Sequence, residues 1–228
     1  QNIESVLKQT YDNIQHLIVI DGKHPHAEVI LSDYGIHKDK KIDIIHLPYA
    51  TGIEQYNGHR IYGGCTYFAK GEYVMFLDED NWLEPNHVES LIETIERGNL
   101  DFAFSLRKIY SPDKKYLCND NCESLGKWEI AISRQSKHGK QYLIDTSSYC
   151  FKREFIQKSC HLWHTGPWGE DRRYFYAVKD LAKYDTNGKH TLCYRLDGNP
   201  NSVTEEFFRV GNKTQNEYYG GKFPWLKT

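Results

Sequence analysis

The chain has 228 residues, enough to bury a sizeable core in one domain, or in a large domain with a small appendage. A formal charge of -2 and a pI near 6.6 leave no basic surface for nucleic acid. Mean hydropathy is -0.71, and no apolar run approaches the roughly 18 residues of a membrane span, which excludes an integral membrane segment.

In chain order, Ile3, Val6 and Leu7 form a short helical stripe, stopped by Gln9-Thr10-Tyr11-Asp12-Asn13. His16 to Ile20 is an apolar strand ending at Asp21-Gly22. Ala27 to Tyr34 reads as a helix closed by Gly35, and Ile42 to Leu47 as a strand ended by Pro48. From Gln55 to Lys70, Ile61, Tyr62, Cys65, Phe68 and Ala69 recur at helical spacing, with Gly63-Gly64 implying close approach to another backbone. Tyr73 to Leu77 is a buried strand. Pro85 opens a helix with Val88, Leu91, Ile92 and Ile95 on one face and Gly98 as its stop, and Asp101 to Leu106 is another strand. The segment 111–141 is polar and turn-rich, and an apolar stretch follows from Tyr142 to Phe151. A Gly/Pro/Trp loop at 165–169 leads into a helix from Glu170 to Lys179. Thr191 to Leu196 is the last strand, and the tail from Asp197 is polar with embedded aromatics. Alternating strand and helix patterns point to an α/β layer fold.

The most informative motif is Asp78-Glu79-Asp80-Asn81, at the mouth of the strand Tyr73 to Leu77. Acids at a strand end face the crevice where α/β sheets bind ligands, and Asp-x-Asp there can hold a divalent cation and its diphosphate. An EF-hand is excluded, since Trp82 occupies the fifth loop position and no Gly follows at the sixth. Acids decorating the start of the helix at Pro85, or a solvated turn, are the plainer readings. A second constellation is Trp168-Gly169-Glu170-Asp171-Arg172-Arg173, where a carboxylate at a helix start could take a proton from an attacking hydroxyl, or simply cap the helix. Asp21 before Gly22 could accept from a nucleobase or ribose, or serve as a turn acid; Arg60 could neutralise a phosphate or stack on a base. Cys118, Cys122, Cys160, His161 and His164 match no compact zinc spacing. Six scattered cysteines do not make a disulfide scaffold, and no signal-peptide pattern is visible, so a reducing, cytoplasmic setting is expected.

Together these residues resemble a family 2 glycosyltransferase of the GT-A fold. Ser5-Val6-Leu7-Lys8-Gln9-Thr10-Tyr11 resembles the turn after that family's opening helix, Leu17 to Gly22 its second strand, and Gly52 to Arg60 with Ala69 to Asp80 the run into its DxD motif. Glu170-Asp171 resembles its later E-D element. The family normally begins with a strand and a turn that packs on the nucleobase, and this chain starts after that element, so either further residues precede Gln1 or the base pocket is incomplete.

The resemblance implies an α/β, GT-A-type single domain, residues 1–228, with a Rossmann-like, mainly parallel mixed sheet flanked by helices. About 1–106 would bind nucleotide-sugar and metal, and about 107–228 the acceptor. It further implies transfer from a nucleotide-sugar, UDP-sugar favoured, to a hydroxyl of a glycan or other acceptor, with inversion. Asp21 and Arg60 would bind the nucleobase and its surroundings, Asp78 with Glu79 the ribose side, and Asp80 with Asp78 the Mn²⁺ or Mg²⁺. Asp171 would be the general base, with Glu170 and Trp168 shaping the acceptor pocket and Arg209 near the phosphates. A non-catalytic nucleotide-sugar or glycan-binding module is the alternative. A glycoside hydrolase using the same carboxylates stands behind both.

Overall fold

The computed structural model describes residues 1–33, 41–131, 133, 139–164, 166–167, 169–199 and 202–226. The chain forms two compact units, each discontinuous in sequence: Gln1–Tyr11, Met75–Phe151 and Asp171–Thr228 make one, and Asp12–Val74 with Lys152–Glu170 the other.

The first unit is built on a mixed sheet. Its central strand β5 (Phe102–Tyr110) runs parallel to β8 (Tyr184–Arg195) and antiparallel to β7 (Tyr149–Lys152) and β6 (Tyr116–Asn119). Strand β4 (Trp82–Leu83) pairs antiparallel with the far side of β8, and β3 (Tyr73–Met75), in which the chain enters this unit, lies beside β7. Six consecutive β5 residues, Phe102 to Arg107, are buried, as expected of a strand covered on both faces. Phe102, Tyr149, Phe151 and Tyr174 interlock there in stacked and edge-to-face pairs.

Two helices close this unit as expected: α1 (Asn2–Leu7), and α4 (His87–Gly98), which buries Val88, Leu91, Ile92 and Ile95. Asn99, in the left-handed conformation, ends α4 one residue beyond the expected glycine stop. Helix α6 (Glu170–Val178) matches its predicted start. The tail differs: α7 (Glu205–Tyr219) is a 15-residue helix, capped by the Thr204 hydroxyl, which accepts from the Phe207 N–H, and closed by left-handed Gly220. Phe208 of α7 joins Ile109, Cys122, Ala131 and Leu196 in a core cluster.

The second unit pairs β1 (His16–Ile20) in parallel with β2 (Ile42–His46), in the register His16 to Ile42 through Ile20 to His46. It also holds α2 (Ala27–Asp33), α3 (His59–Cys65) and α5 (Arg153–Ser159). The helix expected from Gln55 starts only at His59, because Glu54, Gln55 and Asn57 take left-handed backbone angles that no helix admits. Gly63 bears out the close approach: a Cβ there would come within 2.6 Å of His164 Nδ1 and 3.0 Å of the Cys160 carbonyl.

Candidate active site

The four residues Asp78 to Asn81 form a tight turn between β3 and β4, closed by the Asn81 N–H donating to the Asp78 carbonyl at 3.1 Å. Three elements brace it. From α1, the Asn2 amide donates to the Asp78 and Asn81 carbonyls at 2.8 and 2.9 Å. From a 3₁₀ turn at Thr146–Ser148, the Ser147 hydroxyl donates to Asp78 Oδ2 at 3.0 Å and accepts the Asp78 N–H at 3.1 Å. From β8, the Arg195 N–H donates to Asn81 Oδ1 at 3.1 Å. Asn81 is thus buried as a strut, while Glu79 points to solvent and Asp78 and Asp80 are partly covered.

The opening helix explains its own sequence in the same way. The Gln9 amide donates to the Ser5 and Glu84 carbonyls, and its oxygen accepts the Val88 N–H, one of the orphan donors at the start of α4. The Ser5 hydroxyl accepts the Leu83 N–H. These polar residues of the opening segment therefore hold the loop that carries the acids.

Beneath the turn, Arg107 is almost wholly buried and binds three carboxylates. Its Nε and Nη2 donate to Asp120 Oδ2 at 3.0 and 2.8 Å, Nη2 to Glu123 Oε2 at 2.6 Å, and Nη1 to Asp145 Oδ2 at 2.9 Å. The Tyr194 ring covers the guanidinium, 4.6 Å from its centroid. Burial works against the Asp120 charge, but Arg107 and the Cys122 and Ser124 N–H groups together hold its carboxyl below the usual range. Glu123 goes the other way, because burial outweighs its bond to Arg107.

Two carboxyls beyond this cluster are pushed up. Asp80 rises through burial and then the neighbouring Glu79 charge, which together exceed the relief from Arg195 Nη2 at 3.8 Å; Asp145 adds to the rise. Asp171, the second residue of α6, is pushed up to about 6 by burial and then by Asp145, against the Arg172 N–H that donates to its Oδ1 at 2.7 Å. An acid in the first turn of a helix is ordinarily stabilised as the anion, so burial and repulsion here overcome the helix end. Asp80 and Asp171, 91 positions apart in sequence, thus both feel the Asp145 charge. Glu170, first in α6, is fully buried, and Trp168 lies outside the described residues.

In the second unit, Asp21, just after β1, is engaged by the segment that follows β2. Oδ1 accepts the Thr51 N–H at 2.7 Å and the Thr51 hydroxyl at 2.9 Å, and Oδ2 accepts the Gly52 N–H at 2.9 Å. Gly22, with φ of 78°, lets the Ala50 backbone approach so closely that a Cβ would lie 2.6 Å from its nitrogen. Arg60 stacks its guanidinium 3.6 Å from the Tyr56 ring centroid and donates to the Thr51 carbonyl at 3.0 Å. Arg209 lies on an exposed face of α7, where Glu206 grips its guanidinium.

Among the described residues, no three His, Cys, Asp or Glu side chains converge as a ready-made metal cage, and all six cysteines carry free thiols. A hard divalent cation bound with a diphosphate needs no such cage. Mg²⁺-type sites take one or two carboxylates and complete their shell with phosphate oxygens and water. Asp78 and Asp80 are two carboxylates of that kind, and Asp80 is raised by burial and then by the Glu79 charge, the second of which a cation would relieve. The residues fit such a group.

Residues 1–153 match the sequence pattern of a family described as glycosyl transferase family 2. EpsJ of Bacillus subtilis (strain 168), described as an uncharacterized glycosyltransferase, is 25% identical over 210 residues, covering 89% of this chain and 58% of that protein. A Haemophilus influenzae protein described as uncharacterized is 34% identical over 103 residues, 37% of this chain and 68% of that one. Among solved structures, S. aureus TarS 1-349 in complex with UDP superposes with a TM-score of 0.59 at 13% identity, over 95% of this chain and 60% of that one. GalNAc-T7 with UDP, GalNAc and Mn2+ superposes with a TM-score of 0.65 at 13% identity, over 96% of this chain and 47% of that one. The chain therefore spans about three fifths or less of EpsJ and of these two structures. No described helix is long and apolar enough to cross a membrane.

Proposed function

From the premise that the chain belongs to glycosyl transferase family 2 and has the GT-A fold, we propose that it transfers a sugar from a nucleotide-sugar to a hydroxyl acceptor, with inversion and with Asp171 as general base. The observation that supports this reading is that two carboxyls of one unit, Asp80 and Asp171, are both raised, first by burial, and both feel the Asp145 charge. Asp171 is poised near 6, in the range where a carboxylate is both ionised at neutral pH and basic enough to accept a proton in the transition state. Asp80 sits on a turn braced from three sides, and burial followed by the Glu79 charge raises its carboxyl.

In this reading Asp171 Oδ accepts the proton of the acceptor hydroxyl as its oxygen attacks the anomeric carbon, and the nucleoside diphosphate departs from the opposite face. Mn²⁺ or Mg²⁺, held by Asp80 with Asp78, would supply positive charge against the developing diphosphate. The braced turn keeps those carboxylates in place before the donor arrives, so little reorganisation is needed during reaction. By the same reading Asp21 and Arg60 would contact the nucleobase and its surroundings, Asp78 and Glu79 the ribose, and Arg209 the phosphates. Glu170 and Trp168 shape the acceptor side, so that about 1–106 serve the donor and about 107–228 the acceptor. UDP is the favoured carrier, because the structures sharing this fold include TarS complexes with UDP and UDP-GlcNAc and a GalNAc-T7 complex with UDP.

The test is Asp171→Asn, assayed with UDP-sugars and Mn²⁺ against a panel of glycan acceptors. Transfer should fall about 10²–10⁴-fold, the usual share of a general base, while UDP affinity by calorimetry stays unchanged. Transfer retained in the variant removes Asp171 from the mechanism. Nucleotide binding without turnover in the wild type favours a binding module. Glycan cleavage that persists in chelator favours a hydrolase.

A further inference from the structure

The turn carrying Asp78 is anchored in the core by a continuous line of bonds. Arg107 Nη1 donates to Asp145 Oδ2 at 2.9 Å. The other oxygen of the same carboxylate, Oδ1, accepts the Ser147 N–H at 3.0 Å, capping the 3₁₀ turn Thr146–Ser148. The Asp145 carbonyl accepts the Ser148 N–H at 2.9 Å, and the Asp145 N–H donates to the Ser124 hydroxyl at 2.9 Å, so Asp145 is held at main chain and side chain alike. Ser147 then meets Asp78 twice, at its N–H and its carboxylate, through one hydroxyl. Ser147 is 1% exposed and Arg107 2%, so neither can exchange these bonds freely with water.

We infer that Asp145 and Ser147 are positioning residues for the donor site: anchored on Arg107, they fix the Asp78 carboxylate and hence the shape of the acidic turn that receives the cation and diphosphate. The inference rests on the donor-site reading above and adds residues to which the sequence attached no role. Two features separate it from mere core packing. The bonds end on a carboxylate that is only partly covered, and they use both carboxylate oxygens of Asp145 in different directions. A purely structural ion pair needs neither. Without the Ser147 hydroxyl, the Asp78 side chain loses a donor to its Oδ2 and can adopt other rotamers, and the cation must then order it on binding.

The experiment measures UDP affinity by calorimetry, without Mn²⁺ and at graded Mn²⁺ concentrations, for wild type, Ser147→Ala and Asp145→Asn, alongside a thermal melt of each. Ser147→Ala removes one oxygen, and Asp145→Asn leaves Arg107 with Asp120 and Glu123, so at least one variant should fold. The expected result is a loss of about 10–100-fold in the Mn²⁺ concentration dependence of UDP binding, the usual cost of removing the partner of a metal-binding carboxylate. Affinity without Mn²⁺ should be unchanged. Equal Mn²⁺ responses in a folded variant and in wild type would overturn the inference and leave the donor site standing. A wild type whose UDP binding ignores Mn²⁺ would instead fell the donor-metal reading, and this inference with it. A loss of affinity that is the same with and without Mn²⁺ would mark the two residues as structural only, and overturns it too.

Discussion

The acids of the two units are kept in opposite ways. Asp21, in the second, has both oxygens filled by N–H and O–H donors of the loop after β2, so its charge is used to shape residues 51–52. The acids of the first unit are crowded. Asp80 and Asp171 are both pushed up by burial and by neighbouring carboxylates, and the buried Arg107 is already shared by Asp120, Glu123 and Asp145. A site complete in itself should respond to substitution by losing shape, and a site under charge strain by losing or gaining a counter-charge. The largest expected effect follows from the second case. Asp80→Ala should abolish Mn²⁺-dependent donor turnover, a drop on the order of 10³-fold if the cation contributes several kcal/mol, checked by steady-state rates at graded Mn²⁺. Turnover that keeps its Mn²⁺ dependence in this variant would break the contrast at its centre.

Arg107→Leu comes next. It strands three buried carboxylates and should cost about 3–5 kcal/mol of stability, read from urea midpoints at pH 7. The loss should shrink at lower pH, where those acids can take protons. Asp21→Asn is milder. An amide can still accept from Thr51, but its NH₂ then opposes the Gly52 N–H or leaves it unpaired, at about 1–3 kcal/mol, with a raised donor KM and an unchanged Mn²⁺ dependence. A shift in Mn²⁺ dependence would show that Asp21 is not confined to its loop.

Much of the fold was legible because apolar spacing carried it. The stripe of α4, the strand at 16–20 and the acids after Tyr73–Met75 all followed from period and breaker. The misses have physical reasons. Helix α7 buries Phe208, Gly211 and Gln215, and only the first is apolar, so no hydrophobic stripe appears; Gly211 is there because a Cβ would come within 2.7 Å of Cys122 Sγ. Strand β8 begins at Tyr184, ahead of Asp185-Thr186-Asn187-Gly188, a polar run of which Asp185 and Thr186 pair with β5 while Asn187 and Gly188 fall in a register shift before His190. In the site, the acidic turn and Asp171 could be read as candidates because acids interrupting apolar sequence are conspicuous. Asn2, Arg107, Asp145 and Ser147 could not, since each is an ordinary polar residue until the fold brings it within 3.1 Å of its partner.

The smallest effect is the one with the most telling sign. Asp171 holds its proton to about 6 in the folded chain and to about 3.8 unfolded, so its contribution to stability is full below 3.8 and is lost as pH rises through 6. His87 is buried against the Thr191 hydroxyl, and burial lowers it from 6.5 to about 4. Its contribution runs the other way: present above 6.5, and lost as pH falls toward 4, because the unfolded chain takes the proton first. The two slopes overlap and oppose, which flattens the stability of the wild type across this window. Asp171→Asn removes one of them. The variant should be more stable than wild type by about 1–3 kcal/mol at pH 8, with part of the full shift screened where the carboxyl meets water. That advantage should shrink as pH drops below 6, leaving the His87 slope exposed and the variant's stability falling steeply toward pH 4. Urea midpoints at pH 8, 6 and 5 read both trends. A variant no more stable than wild type at pH 8 would mean that Asp171 titrates as an ordinary carboxyl, and the charge strain that sets the first unit apart from the Asp21 loop would then rest on Asp80 alone.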